Sequence, residues 1–125
     1  MIKEKKDVKI LITDDSLFMR QYLIGFLSDE GYENFTEAEN GEVALQKYEE
    51  VHPDIVFLDL NMPIKGGIET LNDLVQEGAK VVIISAVSQE PVTNTVLDMG
   101  AIGYFTKPFF SSKDLDNKIH EALSF

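Results

Sequence analysis

No cysteine occurs among the 125 residues, which excludes disulfides, thiolate metal ligands and thiol nucleophiles. Tryptophan is also absent. The two histidines, His52 and His120, lack ligand spacing and support neither a zinc-like site nor a Ser-His-Asp arrangement. Both are read as surface residues, one at a helix end and one on a helix face. Basic residues are scarce: 11 Lys and Arg stand against 22 Asp and Glu, a net charge of −11. Such a surface would repel a phosphate backbone, so direct nucleic-acid binding is disfavoured. No apolar run approaches the roughly 18 residues of a membrane span, and no GxxxxGK loop is present to cradle a nucleotide. The charged start, residues 1–7, lacks the apolar core of a signal peptide and reads as a flexible tail before one domain over 8–125. These absences together fit a cytoplasmic setting.

What is present is four short apolar runs, each ending in a polar residue of a different kind. Val8-Lys9-Ile10-Leu11-Ile12-Thr13 leads into Asp14-Asp15, and Ile55-Val56-Phe57-Leu58 into Asp59. Val81-Val82-Ile83-Ile84 leads into Ser85-Ala86, and Ile102-Gly103-Tyr104-Phe105-Thr106 into Lys107-Pro108. Continuous β-branched runs of this length are those of strands buried on both faces. A weaker strand spans Glu33 to Glu39.

Between the strands lie amphipathic stretches of helical length. Ser16 to Glu30 carries Leu17, Phe18, Tyr22, Leu23, Phe26 and Leu27, with Gly31 as its stop. Asn40-Gly41-Glu42 opens a second helix that ends before His52-Pro53. Further helices are predicted over Gly67 to Glu77, Gln89 to Met99 and Lys113 to Leu123. Strand and helix thus alternate five times, which implies an α/β fold with an open, doubly wound five-stranded parallel sheet. Ligands of such sheets bind beyond the carboxyl ends of the strands, where the polar residues gather.

The chemistry of those residues has two readings each. Asp14 and Asp15 suit helix capping, yet one Asp would satisfy that; two beside Asp59 crowd like charges in a way a cation relieves. Mg²⁺ takes a few carboxylates, a carbonyl and waters. Asp59 follows four apolar residues and is either an Asx-turn within Asp59-Leu60-Asn61-Met62-Pro63 or a nucleophile that forms an acyl phosphate. Ser85 and Lys107 are individually ordinary, but together supply a donor and a fixed positive charge for phosphoryl oxygens.

In this order and spacing, Asp14-Asp15-Ser16, Asp59-Leu60-Asn61-Met62-Pro63, Ser85-Ala86 and Lys107-Pro108-Phe109 resemble the receiver domain of two-component response regulators. The resemblance covers about residues 8–124 and is nearest to the stand-alone chemotaxis type. It implies a flavodoxin-like strand order of 2-1-3-4-5. It also implies a phosphoacceptor at Asp59, served by a histidine kinase, a phosphotransfer protein or a small donor such as acetyl phosphate. Mg²⁺ would be held by Asp15, Asp59 and the Asn61 carbonyl, with Asp14 acting largely through water. Lys107 would pair with the phosphoryl group, Ser85 and the Ala86 N–H would receive it, and Tyr104 would be the switch aromatic. The resemblance further implies a signalling domain that promotes only its own phosphorylation and dephosphorylation. Output would pass to a protein such as a flagellar-motor switch component, with a phosphatase as a further partner. The readout surface would comprise the fourth helix, fifth strand and fifth helix. Departures from the family pattern are Val87, the doubled glycine of Lys65-Gly66-Gly67, and the extra aromatic Phe110, read as core filling.

Other readings differ in their site residues. A phosphorelay intermediate, or a degenerate receiver acting by binding alone, would keep this pattern. A Mg²⁺-dependent phosphatase of the haloacid dehalogenase type needs an Asp where Asn61 stands. A flavodoxin-like carrier needs a hydroxyl- and Gly-rich loop where the acidic Asp14-Asp15 pair stands.

Overall fold

Alternation along each central strand sends its apolar side chains to both faces of one sheet. In the computed structural model, which describes residues 4–62, 64–86, 90–107 and 111–124, five strands form that sheet. They are β1 (Lys9–Thr13), β2 (Asn34–Ala38), β3 (Ile55–Leu58), β4 (Val81–Ser85) and β5 (Gly103–Thr106). All pairings are parallel and the order is β2-β1-β3-β4-β5, the order that the resemblance implied. The helices are α1 (Leu17–Asp29), α2 (Gly41–Val51), α3 (Gly67–Gln76), α4 (Glu90–Asp98) and α5 (Ser112–Leu123). Pro63, the segments 87–89 and 108–110, and the two chain ends carry expectations for Val87, Pro108, Phe109 and Phe110 that lie outside the described residues.

The period of two in the strands separates two cores. Ile10, Ile12, Phe57, Val82 and Ile84 pack against Leu23 and Leu27 of α1 and Leu115 and Ile119 of α5. Leu11, Val56, Leu58, Val81 and Ile83 pack against Ala44 of α2, Leu71 and Leu74 of α3, and Val96 of α4. Burying each such side chain contributes about 1.5–3 kcal/mol, enough to fix the register of a strand whose opposite face is equally apolar. Helix starts are set locally. Ser16 accepts from the Met19 N–H, Asn40 from the Val43 N–H, and Ser111 with Asp114 forms a reciprocal capping box.

Three local features were not in the sequence reading. Leu17 and Phe18, counted among the apolar positions of the first amphipathic stretch, are exposed. Phe18 instead stacks on Tyr22, with ring centroids 6.0 Å apart. Within the segment expected to be a flexible tail, Lys5–Asp7 form a 3-10 turn, since Lys5 has a buried partner. His120, on the face of α5, places its Nε2 3.3 Å from Asp116, one turn earlier.

Asp116 is the hub of that region. It is buried, and burial alone would push its carboxyl up. The Tyr32 hydroxyl at 2.7 Å and the Lys5 ammonium at 3.0 Å outweigh this and hold it below the ordinary carboxylate range. Its ionised form therefore stabilises the fold above the unfolded pKa of 3.8, and that contribution is lost as pH falls through the lowered folded value. We expect the stability difference between wild type and Asp116→Asn to shrink as pH drops from about 5 to 2, measured by urea unfolding. A difference that is constant across that range would refute the assignment.

One buried polar atom has no partner among the described residues: the hydroxyl of Thr13, on the same face of β1 as Leu11. Thr13→Val keeps the shape and removes the unsatisfied group, so it should stabilise the fold by about 1 kcal/mol in thermal or urea unfolding. Destabilisation by that variant would show that the hydroxyl is satisfied.

Candidate functional site

The carboxyl ends of β1, β3, β4 and β5 meet at a crevice of ≈ 540 Å³. Backbone pairing carries each strand one residue beyond its regular span and thereby aims the next side chain. The Asp14 N–H donates to the Ala38 carbonyl (3.1 Å), the Asp59 N–H to the Thr13 carbonyl (2.9 Å), and the Lys107 N–H to the Ser85 carbonyl (2.8 Å). Asp14, Asp15, Asp59, Asn61, Ser85, Ala86 and Lys107 all line the crevice. Seven of the eight residues singled out from the sequence are thus in one place. Tyr104 is not: half-buried in β5 opposite Ile83, it packs against the core on the α2–α4 side. Ser85 is in register with Thr106, and it shares a sheet face with Ile83 and hence with Tyr104.

The crevice is acidic with one ammonium in it. Lys107 Nζ lies 2.7 Å from Asp14 Oδ2 and 3.5 Å from Asp59 Oδ1. Asp14 also accepts the Ser16 N–H at 2.9 Å, so its carboxylate serves the local turn while Ser16 caps α1. Asp59 is 5% exposed. Burial, then repulsion from Asp14, push its carboxyl above the ordinary range, against the opposing pull of Lys107 and the Asn61 N–H. Asp15 is exposed at the rim. Asp14, Asp15 and Asp59 each offer an oxygen within 4.8 Å of the others. A hard, all-oxygen donor set around a repelled buried carboxylate fits Mg²⁺ in its chemistry.

Two residues of this region escaped the sequence reading. Arg20 donates from Nη1 to the Asp14 carbonyl and from Nε to Glu37 Oε1, both at 2.8 Å. The available signals were an arginine four residues after the cap Ser16 and an acid near the end of β2, neither specific alone.

The response regulator receiver domain model matches residues 10–120. The chemotaxis protein CheY of Listeria monocytogenes is 39% identical over 111 residues, spanning 87% of this chain and 93% of the relative. CheY of Thermotoga maritima is 36% identical over 115 residues, spanning 89% of this chain and 96% of the relative. A chain in the crystal structure of the CheX–CheY–BeF3–Mg²⁺ complex from Borrelia burgdorferi superposes with a TM-score of 0.84 at 30% identity, covering 91% of this chain and 87% of that one. No described helix is long and apolar enough to cross a membrane. The acidic crevice at the strand ends and these likenesses have one meaning: the chain belongs to the response regulator receiver domain family.

Proposed function

We propose that this protein is a chemotaxis-type phosphoacceptor switch working in the cytoplasm. The observation that carries the reading is Asp59, a nearly buried carboxylate at the floor of a crevice that holds two further carboxylates and one ammonium. An Asp59 oxygen attacks the phosphorus of a phosphohistidine on a kinase or phosphotransfer protein, or of a small acyl phosphate. The new O–P bond forms as the donor's N–P or O–P bond breaks, and the leaving group keeps the electron pair. Asp14, Asp15, Asp59 and the Asn61 carbonyl are the residues that would hold Mg²⁺. Bound there, the ion would supply charge neutralisation for the transferring group.

Lys107 bridges Asp14 and Asp59 and exchanges that pairing for phosphoryl oxygens as the product forms. The Ser85 hydroxyl and the Ala86 N–H bind the remaining oxygens. A phosphoryl group adds about −1.5 to −2 charges, which draws Ser85 toward it and frees space on the face that Ser85 shares with Tyr104. Tyr104 turning inward would then remodel the surface of α4, β5 and α5 that an output protein reads. The presence of CheX in the Borrelia complex supports output and control by protein contact. A flagellar-motor switch protein is the output partner that the chemotaxis relatives favour.

The test is intact mass after incubation with acetyl phosphate, with and without Mg²⁺. One phosphoryl group gained only with Mg²⁺ is the expected result. No gain from acetyl phosphate or from a phosphorylated histidine kinase would overturn the reading and leave a binding module.

A further inference from the structure

Asp15 is the one crevice carboxylate whose direction the side-chain contacts leave open. Asp14 is held by Lys107 and the Ser16 N–H, and Asp59 by Lys107 and the Asn61 N–H. The Asp15 carboxylate accepts no hydrogen bond among the described residues, so what the fold fixes is its starting point, the Cα–Cβ bond set by the peptide that carries it. That peptide is gripped from both sides. The Asp14 N–H donates to Ala38 in β2 (3.1 Å), and the carbonyl of the Asp14–Asp15 link accepts from Arg20 Nη1 (2.8 Å).

Arg20 is itself locked. Its side chain is 13% exposed, its Nε donates to Glu37 Oε1 at 2.8 Å, and Gln21 Nε2 reaches the same oxygen at 3.1 Å. Its backbone N–H bonds the Ser16 carbonyl in the first turn of α1. One planar guanidinium thus ties the β1–α1 turn to the end of β2, using two of its fixed donors at once. Glu37 also neutralises it, so a cation-binding crevice tolerates a permanent positive charge beside it.

We propose that Arg20 is a positioning residue for divalent-cation binding: through the Asp14 carbonyl it fixes the peptide from which the Asp15 side chain departs toward the crevice. This rests on the crevice being the Mg²⁺ and phosphoacceptor site. A lysine at this position keeps the charge and the aliphatic stem but cannot place two donors in a fixed fork. Charge and geometry are therefore separable.

The experiment titrates wild type, Arg20→Lys and Arg20→Ala with Mg²⁺, reading the thermal midpoint at each concentration. The Mg²⁺ dependence of phosphorylation by acetyl phosphate is followed in parallel. Loss of an outer-shell contact weakens metal binding by about 10–100-fold. Both variants should need at least about tenfold more Mg²⁺ for the same midpoint shift and for half-maximal phosphorylation, with the rate at saturating Mg²⁺ nearly kept. A purely structural role would lower the midpoint without Mg²⁺ and leave the Mg²⁺ dependence unmoved. Arg20→Lys, which retains the packed stem, is decisive if Arg20→Ala fails to fold. An Arg20→Lys response equal to wild type overturns the inference. Absence of any Mg²⁺ effect on the wild type would instead overturn the reading of the crevice on which it rests.

Discussion

Asp59→Asn should abolish phosphoryl uptake altogether while making the protein more stable. Both effects come from the same surroundings. The carboxylate is buried at the end of β3 and repelled by Asp14, which together push its pKa up despite Lys107 at 3.5 Å. The folded chain thus holds the Asp59 proton more tightly than the unfolded chain does. Stability falls as pH rises through the interval between the unfolded pKa of 3.8 and the raised folded value, and the deficit persists at neutral pH. An amide at this position carries no charge to bury, keeps an oxygen for the Asn61 N–H, and relieves Asp14. The expected gain is on the order of 1 kcal/mol in urea unfolding without Mg²⁺ at pH 7. Added Mg²⁺ should narrow it, because the ion relieves the same repulsion in the wild type. Intact mass with acetyl phosphate and Mg²⁺ should show one phosphoryl group on the wild type and none on the variant. A phosphorylated variant would move the acceptor to Asp14 or Asp15, and a less stable variant would mean that Lys107 more than compensates for burial.

Gly67→Ala should be among the most damaging single-methyl additions in the molecule. Gly67 opens α3 directly above the chain leaving β3, and its N–H donates to the Leu60 carbonyl at 3.1 Å. A Cβ there would overlap Leu60 Cα and lie 2.6 Å from the Asp59 carbonyl oxygen. Both neighbours are backbone, so no rotamer change relieves the overlap. The cost should be about 3 kcal/mol, a fall in midpoint of roughly 10 °C. Because the backbone that must yield is that of Asp59 and Leu60, phosphorylation should slow as well. The neighbouring Gly66→Ala is the control: a Cβ there meets nothing within 4 Å, and φ is −69°. It should change stability by less than about 0.5 kcal/mol. Equal effects at the two positions would show that the contact between α3 and the loop after β3 is not tight.

That contrast marks where reading residues in order stops. The doubled glycine of Lys65-Gly66-Gly67 is visible in the sequence, but which glycine faces backbone depends on how α3 lies across the end of β3. Ile64 adds to this: its φ is 69°, unusual for a β-branched residue, in a loop whose pattern departs from the family at the glycine pair.

The sequence by itself determined the alternation of strands and helices, the parallel doubly wound class, and five residues of the crevice (Asp14, Asp15, Asp59, Ser85 and Lys107), while Asn61 and Ala86 came with the family resemblance. It could do so because the signals are local. A buried parallel strand must be an unbroken apolar run, and the first residue past its end is where polarity becomes tolerable again. Parallel strands then bring those residues to one edge whatever the details of packing. Strand order was not in that pattern; it came with the family resemblance, and the sheet bears it out.

Only the tertiary structure decided the rest. Lys107 is closer to Asp14 than to Asp59, the Arg20 guanidinium spans two strands, Asp116 gathers Tyr32, Lys5 and His120, and Phe18 faces out. Most of these are distances between groups far apart in the chain, and all depend on how helices settle against the sheet. The settling is driven by burial that is indifferent to which polar side chains it brings together. Periodicity therefore located the site, while packing chose its pairings.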